Sequence, residues 1–420
     1  MSMKLVKAAT VSLANQVVSS GTNFAIVLYL VRVMDKADFG VYSLGFAMML
    51  LLAGLVSSSI SVQYVVNLPD QHQGERACYA VHHANAVSLL GAALVAIAAL
   101  LMALPDSIAP GFSAVKPVAM TLAIASALYS LRDFLVRVAY SAKREDHVLF
   151  SSITIAVAVV GGYAVLYQLS NQDVSAVQAL GVLAIAYAAG SAILVLLLKL
   201  PLAYSSIQGV KMAFSHSWHG GKWSIITNVV YNIRSQAHNF IVAPLLGMAA
   251  LADVNAARVL VTPAVMAIPP LSQIVMPRLA EKRARGGAIT GKQTGFAILL
   301  LAGFATLYML ALLPAMPWVL PIALGEAYQH TGTLVVLWCL VAVIMAARNG
   351  LTIILQVEKL FRGLMLVNAI IALVAVALAA FLSWLLGAAG AIMALGLSEF
   401  ILSFLLFILL INHFRRQSFE

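Results

Sequence analysis

The sequence has 420 residues, 62% of them hydrophobic and 10% charged, with a formal net charge of +10. An average soluble domain carries about 25% charged residues, so this chain lacks the polar surface needed to keep a 420-residue globule in water. Composition excludes a soluble enzyme or binding module and requires lipid as the solvent.

Taken in order, apolar runs bounded by charges, Pro or Gly mark twelve predicted spans: 10–31, 41–66, 79–104, 117–138, 148–169 and 177–199, then 222–247, 254–276, 295–320, 332–355, 361–385 and 388–411. Each is near the ~20 residues that a helix needs to cross a ~30 Å hydrocarbon core. A transmembrane barrel would instead alternate apolar and polar residues over ~10-residue segments, and no such alternation is present. The expected architecture is an all-α polytopic membrane protein of about twelve transmembrane helices in two bundles of six. The bundles are residues 1–200 and 222–420, joined by a cytoplasmic linker, 201–221.

Lys4 and Lys7 precede the first span, but Asn15, Gln16, Ser19 and Ser20 interrupt any signal-peptide core and no small-residue cleavage site follows promptly. The first helix is therefore read as retained. Positively charged short loops stay in the cytoplasm. With the amino terminus inside, that side holds eighteen Lys and Arg, and the opposite side holds only Arg32, Lys36, Lys116 and Arg258. Both termini are expected in the cytoplasm. Dispersed over short loops, the basic residues need no nucleic-acid partner.

The longest outside loop is about a dozen residues, around Leu104 to Lys116, too short for the polar catalytic loop of a glycan polymerase or ligase. No HExxH, GxSxG, Walker or paired-carboxylate pattern occurs, so no enzymatic role is expected. Cys78 and Cys339 are 261 positions apart and read as small buried hydrophobes. His82 and His83, adjacent on a helix, point about 100° apart and make a poor chelate. No metal or cofactor is expected.

Sliding the first half over the second by 216 residues places Ser12, Gln16, Ser19 and Asn23 on Asn228, Asn232, Ser235 and Asn239. Spacings of 4, 3 and 4 keep each quartet within about a 60° sector of its helix. Lipid satisfies neither amides nor hydroxyls, so each stripe faces other helices or a water-filled cavity. Interhelical hydrogen bonding would account for such residues. Four per helix, flanked by Tyr231 and His238 in the second half, favour a cavity lining. Duplicated halves with sites between them are a general transporter design.

Two charges are predicted deep in the membrane. Arg234 lies twelve residues into the seventh span, about 18 Å deep, and Glu399 about eleven residues into the twelfth. A central Arg costs about 2.5 to 3.5 kcal/mol unless it meets water, a carboxylate or an anionic ligand. Either the two form an ion pair that locks two helices, or Arg234 receives an anionic substrate while Glu399 serves as a protonatable coupling carboxylate. Arg132, Asp133 and Arg348 fall nearer span ends, where Arg can snorkel to the interface; an entrance-lining or gating role for Arg132 and Arg348 is the alternative. Pro263, Pro269 and Pro270 interrupt the eighth span, and Pro314, Pro317 and Pro321 punctuate the ninth. They suit either a bending, gating helix or fixed kinks.

The polar first helix Ser12 to Asn23, then Tyr29-Leu30-Val31-Arg32 and Asp38-Phe39-Gly40-Val41-Tyr42, resemble the multidrug, oligosaccharidyl-lipid and polysaccharide exporter superfamily, and within it the Wzx-type polysaccharide flippases. Ala243-Pro244-Leu245-Leu246-Gly247 and Val254-Asn255-Ala256-Ala257-Arg258 are similar to the equivalent turn in the second half. Val33-Met34-Asp35 departs from the family's usual Leu-Gly-Pro turn. The resemblance implies two pseudo-symmetric six-helix bundles around a central cavity, alternating access, a bacterial inner-membrane location and an undecaprenyl-diphosphate-linked oligosaccharide as substrate. It places Arg234 against the diphosphate or acidic sugars, the polar quartets against sugar hydroxyls, and Glu399 in coupling to a proton or sodium ion. Membrane lipids and the polysaccharide polymerase and export machinery are the implied partners.

A cation-coupled multidrug exporter of the same superfamily is the nearest rival, though acidic cavity residues would be expected for cationic drugs. A major-facilitator transporter is disfavoured because Leu68-Pro69-Asp70-Gln71-His72-Gln73-Gly74-Glu75-Arg76 does not match that family's loop between the second and third spans.

Overall fold

The computed structural model describes residues 3–105, 115–169, 173–201, 206–285 and 289–417. Most of the predicted outside loop between Leu104 and Lys116, linker residues 202–205, and the side chains of Lys4, Lys7 and Arg416 lie outside the described residues. The described chain is helical throughout, without strands, and falls into two compact units, Met1–Val229 and Val230–Glu420.

The first unit holds α1 (Met3–Val33), α2 (Lys36–Asp70), α3 (Arg76–Ala103), α4 (Ala119–Ser141), α5 (Glu145–Leu169), α6 (Ala176–Leu198) and the start of α7 (Ile207–Leu246). Local chemistry sets several of these ends. Ser175 and Gln178 form a capping box that opens α6, and Lys199 closes it in the left-handed region at φ 50°. Within α2, Ser57–Ser61 widens into a π-helical turn. There Ser59 bonds back to the Val56 carbonyl while Ser57 reaches across to α4. Side-chain competition for the backbone ladder is a recognised cause of such a turn. Helices approach closely where side chains are small: a Cβ on Gly91 of α3 would stand 2.8 Å from the Ala127 Cβ of α4. Ile60, Tyr64, Val87, Phe134, Leu135 and Leu194 form the apolar core between them.

The second unit continues α7 and adds α8 (Met248–Met266), α9 (Ile268–Ala284), α10 (Gly291–Leu324) and α11 (Gly332–Val357). A last helical stretch, Phe361–Gln417, is divided by Gly387 (φ 61°, ψ −140°) into α12 (361–386) and α13 (388–417). Only glycine tolerates that backbone without strain, and it separates the predicted eleventh and twelfth spans where expected. Gly247, at φ 88°, makes the turn between α7 and α8, so the Val254 to Arg258 motif lies inside α8 rather than in a turn. Pro269 and Pro270 open α9 after a break at Ala267. By contrast, α10 runs uninterrupted through Pro314, Pro317 and Pro321 to Leu324. Gly350 of α11 packs on α10, where an added Cβ would be 2.8 Å from the Ile298 Cα. The core is built from Leu301, Ile354, Leu355, Ile371, Leu402 and Leu406.

Eleven of the twelve predicted spans each fall on one helix, and the eighth, 254–276, is split at Ala267 between α8 and α9. Among the described residues, ten helical stretches are long and apolar enough to cross a membrane, the last of them comprising both α12 and α13. α7 is not among the ten, because its polar stripe lowers its hydropathy. Large apolar side chains such as Leu100, Val157, Leu169, Leu299, Leu307, Leu373 and Trp384 point outward, as a lipid solvent demands. The protein is a multi-pass, all-α membrane protein.

Candidate functional site

In the first unit the α1 stripe meets α4 and α5. The Ser19 hydroxyl donates to Ser152 Oγ at 3.1 Å, and the Arg132 guanidinium donates to the same oxygen at 2.7 Å. One turn earlier, Gln16 Nε2 donates to Ser20 Oγ at 2.9 Å, and Asn15 Nδ2 donates to the Tyr140 hydroxyl at 3.4 Å. Ser12 is half-buried, whereas Gln16 and Asn23 are exposed. Around Arg132 lies a cavity of about 130 Å³, lined by Ser19, Thr22, Asn23, Tyr129, Ser152 and Tyr187 together with Ile26, Ile155, Val159 and Leu183. Asp133, next to Arg132 in sequence, points about 100° away around α4. It accepts from Ser57 Oγ at 3.0 Å and from Arg137 at 3.1 Å, so its charge is spent on α2 and on its own helix. Asn228, the first member of the second stripe, also belongs to this unit. It packs on Gly54 of α2, where a Cβ would come within 2.6 Å of its amide oxygen.

In the second unit the centre is Glu399 of α13, 1% exposed. One carboxylate oxygen pairs with Arg234 of α7 and the other with Nε of Arg348 of α11 at 2.6 Å. Arg234 is 2% exposed and its guanidinium also lies 5.7 Å from the Tyr231 ring centroid. The triad thus carries two positive charges against one negative. Each guanidinium has five N–H donors, and Arg234 Nε is buried without a hydrogen-bond partner.

The rest of the second stripe has separate partners. Ser235 bonds to its own helix, at the Asn232 carbonyl, 3.5 Å away. Asn239 accepts from Asn255 Nδ2 of α8 at 2.9 Å and donates to Gln236 at 2.8 Å. His238, also 2% exposed, sits edge-on to Trp338 of α11, centroids 5.5 Å apart. Arg258 of α8 is 5.3 Å from the Trp338 ring, and the indole N–H donates to the Val254 carbonyl at 2.9 Å. Residues 234, 348 and 399 are therefore brought together, as are 19 and 132 with Ser152. Sequence reasoning had passed over Ser152 and Trp338, and had named Asn255 only as part of a motif. It had counted Arg258 among the charges at the outside end of the eighth span, and it is the eleventh residue of α8.

No family model matches the sequence, and no curated protein matches it. Solved structures do. The lipid II flippase MurJ in an inward closed conformation superposes with a TM-score of 0.75 at 12% identity, covering 96% of this chain and 87% of that one. The inward-facing conformation of a multidrug resistance MATE family transporter of the MOP superfamily gives 0.71 at 14% identity, covering 98% of both chains. A MOP superfamily transporter from Pyrococcus furiosus, described as having a binding pocket of reverse polarity, gives 0.61 at 12% identity over 96% of this chain and 94% of that one. At such identities the shared property is the fold. The chain has the polytopic α-helical fold of MOP superfamily transporters.

Proposed function

We propose that the protein is a flippase that moves an undecaprenyl-diphosphate-linked oligosaccharide from the cytoplasmic to the periplasmic leaflet of a bacterial inner membrane by alternating access, with both termini in the cytoplasm. The observation that carries this reading is the cluster of Arg234, Arg348 and Glu399. Arg234 and Glu399 lie about 17 to 18 Å from helix ends at 1.5 Å per residue, and Arg348 about 14 Å. Holding an excess positive charge at that depth is costly in lipid and suits a protein that handles an anion there. Arginine forks match phosphate oxygens two at a time. The likeness in fold to a lipid II flippase supports the reading. The second stripe, with Asn232, Ser235, His238 and Asn239, supplies hydroxyl, amide and imidazole groups near the charge, suited to sugar hydroxyls.

Glu399 and a substrate diphosphate compete for the same two guanidiniums. Substrate release then returns the arginines to their carboxylate, and coupling to a proton or sodium ion operates through that exchange. Export of a cationic drug, the alternative favoured by the likeness to MATE transporters, is poorly served by a cluster that repels cations.

The test is reconstitution in vesicles with a fluorescent polyprenyl-diphosphate oligosaccharide, read by a membrane-impermeant modifying enzyme added outside. Wild-type protein exposes the lipid, and Arg348→Gln lowers the rate on the order of tenfold or more, the worth of one charge-assisted hydrogen bond. Glu399→Gln abolishes any dependence on an imposed proton or sodium gradient. Absence of lipid exposure together with gradient-driven efflux of a cationic dye would replace the reading with the exporter alternative.

A further inference from the structure

We propose that the cavity inside the Met1–Val229 unit is a binding site for one small monovalent anion of the halide or short-carboxylate class, held by Arg132. The inference is independent of which substrate the protein transports.

Arg132 lies nine residues from the Ser141 end of α4, about 14 Å along the helix. It is paired with no carboxylate among the described residues, since Asp133 is engaged by Ser57 and Arg137. Its single side-chain partner is Ser152, and its Nε is buried without a hydrogen-bond partner. A guanidinium at this depth is tolerated where water or an anion meets it.

The lining answers in kind. Arg132, Thr22, Asn23 and Ser152 present N–H and O–H donors, and among the described residues no carboxylate borders the cavity. Ser152 Oγ already accepts from both Ser19 and Arg132, which leaves its own hydroxyl hydrogen to donate. Two donors flanking a fixed cation form an anion cradle and repel a metal ion. Ile26, Ile155, Val159 and Leu183 close the sides with apolar surface, which strengthens a charge-assisted bond by excluding water. Asn23, the exposed member, marks the open side.

Size selects the class. A cavity of about 130 Å³ has room for a small ion with several waters. A whole lipid-linked glycan does not fit inside it, so the ligand of this cavity differs from the one proposed for the Arg234, Arg348 and Glu399 cluster.

The experiment uses full-length protein in lipid nanodiscs and chlorine-35 line broadening by chloride, with bromide and acetate as competitors. Wild-type protein should broaden the line beyond empty nanodiscs, and both competitors should reverse it. Arg132→Gln should lower chloride affinity on the order of tenfold or more, and Ser152→Ala by about threefold, in the ratio expected of a charged and a neutral donor. Arg132→Lys should retain part of the affinity, and the exposed Arg285→Gln all of it. If Arg132→Gln does not purify as a monodisperse protein, the graded series of Ser152→Ala and Arg132→Lys decides. Absence of excess broadening in the wild type, or broadening removed by Arg348→Gln and untouched by the Arg132 and Ser152 substitutions, would overturn the proposal.

Discussion

In the Val230–Glu420 unit, Glu399 meets a guanidinium at each carboxylate oxygen, and the whole cluster is closed off from solvent. In the Met1–Val229 unit, Arg132 bonds to the Ser152 hydroxyl and, among the described residues, to no carboxylate, with a cavity beside it. Both place cationic charge well inside a helix, but one supplies its own counter-ion and the other leaves that role to whatever enters. A closed cluster couples helices: Glu399 ties α7, α11 and α13 together, so displacement of its carboxylate is felt by three elements at once. An open cavity on α1, α4, α5 and α6 can fill and empty without breaking a contact between helices.

The largest effect should come from Glu399→Gln. Neutralising the shared acid leaves Arg234 and Arg348 buried against each other, and an orphaned buried charge costs about 3–5 kcal/mol. The thermal midpoint of purified protein should fall steeply, and adding Arg234→Gln to the same chain should restore part of it. A midpoint unchanged in the single variant would show that the cluster is hydrated and not closed. Arg348→Gln should cost less, about 1.5–3 kcal/mol, because Glu399 keeps Arg234 as partner. Comparing the two variants by the same unfolding assay measures how much of the cluster rests on Arg234 alone.

Arg132→Gln, the matching change in the other unit, should alter stability by no more than about 1 kcal/mol in either direction. It loses one hydrogen bond to Ser152 but removes an unpaired charge from an unfavourable place. A loss comparable to that of Glu399→Gln would mean that Arg132 is structural, and the distinction between the two units would fall.

Much of this was legible in the sequence, in a way that follows from lipid as the solvent. Twelve spans were readable because hydrocarbon demands unbroken apolar runs, and Gly387 parts the last two as its neighbours predicted. The start of α7 was not readable. Residues 207–221 carry Lys211, His216, His219 and three glycines, a composition that resembles a linker, yet they are helical and packed on α2, where Gly221 approaches the Ser59 carbonyl. The pairing of Arg234 with Glu399 was foreseeable from equal depth. The part taken by Arg348 was not, because distance from a helix end does not reveal which face a side chain occupies. Arg132 is a parallel case: the fact that decides its setting is Ser152 on α5, twenty positions away in sequence.

The repeated polar stripe offers the smallest and sharpest comparison. Ser19 and Ser235 are equivalent by spacing, but Ser19 reaches another helix and feeds the Arg132 cavity, whereas Ser235 turns back on its own backbone at the limit of hydrogen-bond length. Ser19→Ala should therefore cost about 0.5–1 kcal/mol and weaken anion binding, and Ser235→Ala should cost less than about 0.5 kcal/mol. Unfolding midpoints of the two single variants and the double variant decide the matter, since the sites lie in different units and their effects should add. Equal costs would mean that the stripe serves one purpose in both halves, and that the contrast between an open and a closed arginine centre begins only beyond it.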